Sequence, residues 1–426
     1  MNFQLIAVFV IVYGAIVFEH PLKINKSASA LIGAGVLWTI YAMGSLDVQL
    51  VNQNLSSSLT STAQIVFFLM GAMTIVEVID AHNGFEVLTS RIKNTALVSL
   101  LIFVSFATFF LSAILDNLTT AIVMVSLTRK LLAEREDRLL FAGMIIIAAN
   151  AGGAWTPIGD VTTTMLWIGG QITPLAIMKA MFLPSLINMI VPLFVLVYRL
   201  RGRDVVAPTL VNENLMETSP FERKLMFFAG LTILICVPIF KAVTHLPPFL
   251  GILLGLGLLW MLGDLVHQKK EEIHKESLTL VAALKRIDMS SIIFFVGILL
   301  AVATLEHAHI LSALASKLDQ ILGRQSLIVM LIGIVSAIVD NVPLVAATMG
   351  MYSLTNFPVD SFLWEFLAYC AGTGGSILVI GSAAGVAAMG MEKIDFLWYL
   401  RKISGLALLG FFAGAAVYGL QLQLGL

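Results

Sequence analysis

The chain has 426 residues, of which 59% are apolar and only 12% charged, and its mean hydropathy is +0.96. Soluble domains carry roughly 45–50% apolar and about 25% charged residues, so this composition excludes a soluble enzyme, a disordered chain and a secreted disulfide scaffold. The 25 basic and 26 acidic residues nearly cancel, and no nucleic-acid partner is expected. We therefore predict an integral membrane protein whose main surroundings are membrane lipid.

Apolar stretches of membrane-spanning length recur along the chain. A helix needs about 20 mostly apolar residues to cross a bilayer. On that basis ten spans are predicted, near residues 2–19, 27–43, 63–80, 139–170, 174–198, 222–241, 248–266, 290–306, 362–390 and 394–421. The first stretch has neither the basic start nor the cleavage site of a signal peptide, so we expect it to be retained.

Two further apolar stretches, 95–130 and 325–355, are too long for one comfortable helix. Each is interrupted halfway by polar residues, Asp116-Asn117 in the first and Asp340-Asn341 in the second. Backbone that leaves the helix at membrane depth is tolerated only where it is buried in protein or lines a water-filled cavity. Each stretch is therefore predicted to be a re-entrant hairpin of two short helices.

The two halves of the chain repeat each other. The landmarks that recur in the same order are the segment 31–38 with 253–260, Asp116-Asn117 with Asp340-Asn341, and Gly152, Gly153 and Gly159 with Gly374, Gly375 and Gly381. We predict a first membrane repeat at 1–198, a cytoplasmic linker at 199–221, and a second repeat at 222–426.

The positions of the basic residues predict the topology. If both interrupted stretches are hairpins, 21 of the 25 basic residues lie on one side of the bilayer, and the other side keeps Lys179, Lys241, Lys317 and Arg324. Short cytoplasmic loops are enriched in Lys and Arg, so both termini are predicted outside. The predicted fold is an all-α polytopic membrane protein with two inverted five-span repeats, each with a re-entrant hairpin and a broken helix. This architecture is typical of secondary transporters.

Acidic residues inside the predicted spans and hairpins indicate an ion pathway, because ionisable groups are costly in the bilayer. These residues are Glu77, Asp116, Asp160 and Asp340, with Asp80, Glu306 and Glu365 nearer span ends, where solvation is expected. Lys179 is the only comparably placed basic residue. This charge balance favours a cation over an anionic substrate.

The hairpin tips carry the oxygen ligands that a hard cation requires. The first tip contains Asp116, Asn117, Thr119 and Thr120, and the second contains Asp340 and Asn341. Carboxylate, amide and hydroxyl oxygens suit Na⁺, by analogy with the ligands of Ca²⁺ and Mg²⁺. We predict a Na⁺ site at the two Asp-Asn pairs. In the alternative interpretation, Asp-Asn only caps the second short helix.

Residues 150–164 are rich in glycine and cannot sustain a regular helix, so a broken span is predicted there. Further candidate ligands lie beside the break and its counterpart: Asn150, Thr156, Asp160 and Thr163, then Thr373 and Ser376, where no acid is present. The glycines could instead serve close helix packing. For Glu77, a role in ion coupling and a helix–helix hydrogen bond both remain open.

Three motifs resemble those of the NhaD-type sodium/proton antiporters. They are Leu115-Asp116-Asn117-Leu118-Thr119-Thr120, Trp155-Thr156-Pro157-Ile158-Gly159-Asp160 and Val339-Asp340-Asn341-Val342-Pro343. The resemblance runs from about residue 5 to 420, and the family belongs to the ion transporter superfamily, with arsenite permeases and dicarboxylate carriers. It implies export of Na⁺ or Li⁺ across a bacterial cytoplasmic (inner) membrane, driven by proton entry, and a homodimer. Dicarboxylate carriers usually have Ser-Asn-Thr at the tips, which weakens a carboxylate-transport interpretation.

The predicted function is exchange of cytoplasmic Na⁺ (or Li⁺) for external H⁺ through buried carboxylates, without enzymatic activity. No cofactor is predicted, since the chain has no phosphate-binding glycine motif and its histidines lack metal-ligand spacing. The alternative in the same superfamily is a Na⁺-coupled anion (dicarboxylate) or arsenite carrier. An intramembrane hydrolase using Asp160 is a further alternative, but it gives no reason for two Asp-Asn tips.

Overall fold

The computed structural model describes residues 1–45, 47–85, 87, 96–205, 218–268, 278–338 and 340–425. Within these ranges the regular structure is helical, apart from one isolated bridge between Ala96 and Asp204. Helices satisfy their own backbone hydrogen bonds, which lipid cannot do. The predicted all-α membrane fold is confirmed.

The helices of the first half are α1 (Asn2–Val17), α2 (Glu19–Leu22), α3 (Lys26–Gly44), α4 (Val48–Ala81), α5 (Leu97–Ser112), α6 (Asn117–Leu131), α7 (Arg135–Gly153), α8 (Val161–Ile168) and α9 (Pro174–Arg199). Helices α5 and α6 meet at the first Asp-Asn pair. Helices α7 and α8 are separated at the glycine-rich segment, where a broken span was expected.

The helices of the second half are α10 (Pro220–Thr244), α11 (Pro248–Val266), α12 (Leu280–Arg286), α13 (Met289–His307), α14 (Ile310–Leu322), α15 (Gln325–Val335), α16 (Asn341–Met351), α17 (Phe362–Gly374), α18 (Ala383–Glu392), α19 (Phe396–Tyr399) and α20 (Gly405–Leu424). A π-helical turn, Leu400–Ser404, joins α19 to α20. Helices α15 and α16 meet at the second Asp-Asn pair.

Seven helical segments in the described ranges are long and apolar enough to cross a membrane: α3, α4, α9, α10, α11, α13, and α19 with α20. The other three predicted spans are the 16-residue helix α1 and the broken pairs α7–α8 and α17–α18. The bend between α14 and α15 is 113°, so α14 turns away from the hairpin.

The sequence interpretation missed polar helical segments. Helix α4 begins at Val48 rather than near residue 63, because the Asp47 side chain accepts the backbone N–H groups of Gln49 and Leu50 and caps the helix there. Helix α14 was also missed, since it has only 13 residues and its apolar positions alternate with Ser316, Lys317 and Asp319. A search for apolar stretches does not detect such segments.

Both hairpins turn at an N-cap. The Asp116 side chain accepts the N–H of Thr119 at the start of α6, and the Asp340 side chain accepts the N–H of Val342 at the start of α16. The capping interpretation therefore holds at both tips. A capping carboxylate still has free lone pairs, so the cap does not exclude cation binding.

Glycines allow close approach at both broken helices. A Cβ atom on Gly152 would overlap the carbonyl oxygen of Phe109 in α5, and one on Gly374 would overlap that of Gly333 in α15. Each broken helix thus packs its glycine face against the first arm of its own hairpin. The sequence left open whether these glycines break a helix or allow close packing. In the structure the same glycine-rich segments do both.

The two halves interlock rather than forming separate bodies. Helix α3 packs along α13, α9 along α20, and α6 along α18. The elements predicted to bind cations therefore meet between the halves. Most of the predicted linker, residues 206–217, lies outside the described residues.

Candidate functional site

The first hairpin tip presents a carboxylate bonded to its own helix. Asp116 accepts the Thr119 N–H at 2.8 Å through Oδ1 and the Thr119 hydroxyl at 2.6 Å through Oδ2. The hydroxyl of Thr120 is buried and has no hydrogen-bond partner among the residues described. The tip thus offers a carboxylate oxygen and a hydroxyl oxygen about one helical turn apart, on Asp116 and Thr120.

A buried amide links this tip to the broken helix. Asn117 donates to Oδ2 of Asp160 at 2.6 Å and to Oδ1 of Asn150 at 3.0 Å. The other Asp160 oxygen accepts the Thr162 N–H at 2.8 Å and its hydroxyl at 2.6 Å. Because Asn117 uses its amide hydrogens as donors, its carbonyl oxygen remains available as a ligand.

The same network crosses into the second half of the chain. The amide of Asn150 donates to the hydroxyls of Ser376 at 2.9 Å and Ser382 at 3.0 Å. Ser382 caps α18 as Asp160 caps α8. The prediction included Ser376 but missed Ser382 and Thr162. The repeat contained a signal for Ser382, since it follows Gly381 as Asp160 follows Gly159.

Three predicted hydroxyl ligands bond to main-chain oxygens. Thr156 donates to Ala113 at 2.6 Å, Thr163 donates to the carbonyls of Gly153 and Asp160, and Thr373 donates to Tyr369. These hydrogen bonds hold the broken segments in place. Their oxygen lone pairs leave the predicted ligand role open.

The second tip differs because its carboxylate is paired with a lysine. Nζ of Lys26 lies 2.9 Å from Oδ2 of Asp340, and Asn341 is buried next to it. Lys179, predicted to be the only base placed among the acids, is exposed on α9. That prediction is wrong: Lys26, assigned to a cytoplasmic loop, reaches the second tip because it is the first residue of α3.

Glu77 lies outside this network, beside a separate cavity. Its carboxylate is 3.5 Å from Arg286 and its side chain is 31% exposed. The cavity has a volume of about 290 Å³ and is also lined by Asp80, Thr119 and Asp288. A smaller cavity of about 60 Å³ reaches Asp116 and Asn117. The two cavities share lining residues of α4 and α6, Met73, Val76 and Leu118.

The carboxylates of Asp116, Asp160 and Asp340 lie near enough for their charges to interact, but they do not form a dense acidic cluster. Asp160 is close enough to Asp116 and Asp340 for their charges to act on it. The described residues contain no group of three or more His, Cys, Asp or Glu that could hold a metal ion. A cation in this region would therefore need amide and hydroxyl oxygens as well as carboxylates.

Two acids near span ends behave differently from each other. Glu306 is exposed, as expected. Glu365 is buried and accepts the Tyr418 hydroxyl at 2.7 Å, so the expectation of a solvated carboxylate is wrong there. Its hydrogen bond to α20 joins helices at a distance from the network.

A solved structure shares this architecture. The crystal structure of the Alcanivorax borkumensis YdaH transporter matches 94% of this chain and 99% of that chain, with a TM-score of 0.63 and 13% identity. At this level of identity the likeness concerns the fold alone.

Sequence comparisons identify the family. A family model described as a citrate transporter (CitMHS) matches residues 13–372. Sodium/proton antiporter 1 of Arabidopsis thaliana is 52% identical over 96% of this chain and 71% of its own length. The Na⁺/H⁺ antiporter NhaD of Alkalimonas amylolytica is 30% identical over 98% of this chain and 90% of its own. These relatives are transporters, in agreement with the prediction of a non-enzyme. The chain therefore belongs to the family that the citrate transporter model describes, together with the NhaD-type sodium/proton antiporters.

Proposed function

We propose that this protein is a secondary transporter that exchanges Na⁺, or Li⁺, for H⁺. The observation that carries the proposal is the buried network in which Asn117 joins Asp160 and Asn150, beside Asp116. Neither of these two carboxylates forms an ion pair within the described ranges. Asp160 is buried and Asp116 is half-buried, and a carboxylate withdrawn from solvent without a counter-ion favours the binding of a small cation or a proton. The names of the relatives support the same exchange.

Competition between the two ions follows from the chemistry of a buried carboxylate. Burial disfavours the charged form of such a group, and a bound cation favours it. In our proposal Na⁺ binds when the carboxylates have lost their protons, with ligands from Asp116, Asp160, the Asn117 carbonyl and the Thr120 hydroxyl. Protonation then removes the charge that holds the cation, and Na⁺ leaves.

The cavities suggest the route by which Na⁺ enters. The cavity beside Glu77 extends along α6 from Thr119 to Leu127 and is bordered by Arg286, towards the end of α6 that carries Arg129 and leads to Arg135 and Arg138. By the positive-inside rule this end faces the cytoplasm. We propose that Na⁺ passes the carboxylates of this cavity to reach Asp116, and that movement of the hairpins and broken helices opens the opposite side. In our proposal its location in a bacterial host is the cytoplasmic (inner) membrane.

Transport of a carboxylate anion is the second candidate, because the matching family model is described as a citrate transporter. The site disfavours it. Asp116 and Asp160 would repel an anion, and the nearby lysine, Lys26, is already paired with Asp340. We therefore propose a cation as the transported species.

Proteoliposomes with an acidic lumen and an enclosed pH dye test the proposal. Added external NaCl should raise the luminal pH as Na⁺ enters and H⁺ leaves. Asp160→Asn and Asp116→Asn should each lower the initial rate by about tenfold or more, since a hydrogen bond to a charged group contributes about 1.5–3 kcal/mol. Glu365→Gln is the matched control, because Glu365 is a buried carboxylate outside the network.

The outcomes separate the candidates. Exchange with NaCl that Asp160→Asn removes and Glu365→Gln retains supports the proposal. A pH change that requires citrate would overturn it in favour of anion transport. Normal exchange in a double variant of Asp116 and Asp160 would remove these residues from the site.

A further inference from the structure

A lysine forms an ion pair with the carboxylate at the second hairpin tip. Lys26 is the first residue of α3, and its Nζ donates to Oδ2 of Asp340 at 2.9 Å. The same ammonium lies 4.4 Å from the ring centroid of Phe294 in α13. The two side chains are only 28% and 20% exposed. The pair is thus enclosed on one side by an aromatic ring and is largely withdrawn from solvent.

Other charged groups face the pair from the helices packed around it. Glu19 in α2 accepts the backbone N–H of Lys26 at 3.1 Å, and its charge, with that of Asp288 before α13, acts on the ammonium. The buried hydroxyl of Tyr13 in α1 lies within electrostatic reach of Asp340. Lys26 therefore lies in acidic surroundings, with carboxylates of Asp340, Glu19 and Asp288 near its ammonium.

The first tip has no equivalent cation. In the alignment of the two halves, Lys26 corresponds to Pro248, the first residue of α11. Asp116 forms no ion pair in the part of the chain that is described. One carboxylate of the symmetric pair therefore has a resident cation and the other does not.

We propose that Asp340 is a second position for Na⁺, in addition to the ligands around Asn117, and that Lys26 competes with Na⁺ for it and thereby sets the Na⁺ concentration at which the transporter works. Asp340 is near enough for its charge to act on Asp160, so the two positions are coupled. An ammonium and a sodium ion are both monovalent cations, and each would use the same carboxylate oxygen. Na⁺ can bind at Asp340 only when the Lys26 ammonium has moved away or lost its proton to water. This inference rests on the proposed exchange of Na⁺ for H⁺.

Removal of the competitor should increase the apparent affinity for Na⁺. We expect Lys26→Gln to lower the half-saturating Na⁺ concentration by about tenfold, because one opposite charge shifts the protonation equilibrium of a carboxylate about tenfold or more. Lys26→Arg should keep or raise that concentration, since the guanidinium stays charged. The residue is a positioning residue, and a gain in apparent affinity is not expected from general structural damage.

Two measurements on the full-length protein test the inference. The first is the NaCl dependence of exchange in proteoliposomes, and the second is thermal stabilisation of the purified protein by NaCl, with choline chloride at equal ionic strength. Lys179→Gln, an exposed lysine on α9, is the control and should match the wild type in both.

The two proposals fail in different ways. If the wild type does not exchange Na⁺ for H⁺, the proposed function fails. The thermal stabilisation by NaCl then still tests whether Lys26→Gln binds Na⁺ more tightly than the wild type does. If the wild type exchanges the ions but Lys26→Gln has an unchanged or higher half-saturating Na⁺ concentration, the inference fails. Should Lys26→Gln not fold, a half-saturating Na⁺ concentration for Lys26→Arg below that of the wild type would overturn it.

Discussion

The two hairpin tips share a fold but differ in what their carboxylates contact. Asp116 bonds both the N–H and the hydroxyl of Thr119. At the second tip the position equivalent to Thr119 is Pro343, which has neither group, and Asp340 bonds Lys26 instead. The two tips therefore have similar backbone arrangements, but the groups that contact their carboxylates differ in charge.

The difference shows how two elements that recur in the sequence can divide their roles. A carboxylate that only hydroxyl and amide groups contact can accept a mobile cation at little cost. A carboxylate held by an ammonium must first lose that partner. The broken helices differ in the same way, since Asp160 in one corresponds to Ser382 in the other. As a result of these two differences, the acidic residues that have no basic partner in the described ranges, Asp116 and Asp160, both lie near Asn117.

The comparison predicts unequal effects for the two tip asparagines, and this is the largest effect we expect. Asn117→Ala removes the hydrogen bonds to Asp160 and Asn150. It should lower the rate of Na⁺-driven pH change about tenfold or more, because about 1.4 kcal/mol corresponds to a factor of ten and a bond to a charged group contributes more than that.

The matched variant is Asn341→Ala at the other tip. Asn341 is also buried, but its side chain forms no hydrogen bond with any residue that the structure describes. Its rate should fall less than about threefold, because the substitution breaks no hydrogen bond among the described residues and about 1.4 kcal/mol would be needed for a factor of ten. Equal losses for the two variants would contradict the division of roles.

The glycines provide a second test, in which the two halves should behave alike. Gly152→Ala and Gly374→Ala each force a Cβ atom against a backbone oxygen. Overpacking typically costs about 1–3 kcal/mol, so thermal unfolding in detergent should occur at a lower temperature in both variants. Gly390→Ala, which meets open space, is the control. Loss of stability in only one half would show that the packing is not equivalent.

Much of the fold could be predicted because the bilayer restricts the choices. The spans follow from length and apolarity, and the hairpin tips from polar pairs that interrupt long apolar stretches. Helix α14 and the start of α4 could not be predicted this way, because helical segments that mix polar and apolar residues depend on capping and packing rather than on hydropathy.

The candidate site was only partly predictable for a related reason. Asp116, Asn117, Asn150 and Asp160 stand in recognisable motifs, and the structure brings Asn117, Asn150 and Asp160 into one network. The lysine at Asp340 could not be found, because Lys26 lies 314 residues away in the chain and resembles an ordinary loop residue. Long-range contacts of this kind depend on how the halves interlock.

Substitution of Glu77 should have the smallest effect. It tests whether Glu77 lies outside the group of residues that bind the transported cation. Its carboxylate lines the cavity next to the one that reaches Asp116 and lies 3.5 Å from Arg286, both groups being partly exposed. Exposed ion pairs contribute about 0–1 kcal/mol, so Glu77→Gln should raise the half-saturating Na⁺ concentration only about twofold to threefold. The maximal exchange rate should not change, and the effect should diminish at high ionic strength, because salt screens exposed charges. A complete loss of exchange, as expected for Asp160→Asn, would instead place Glu77 among the groups that bind the transported cation.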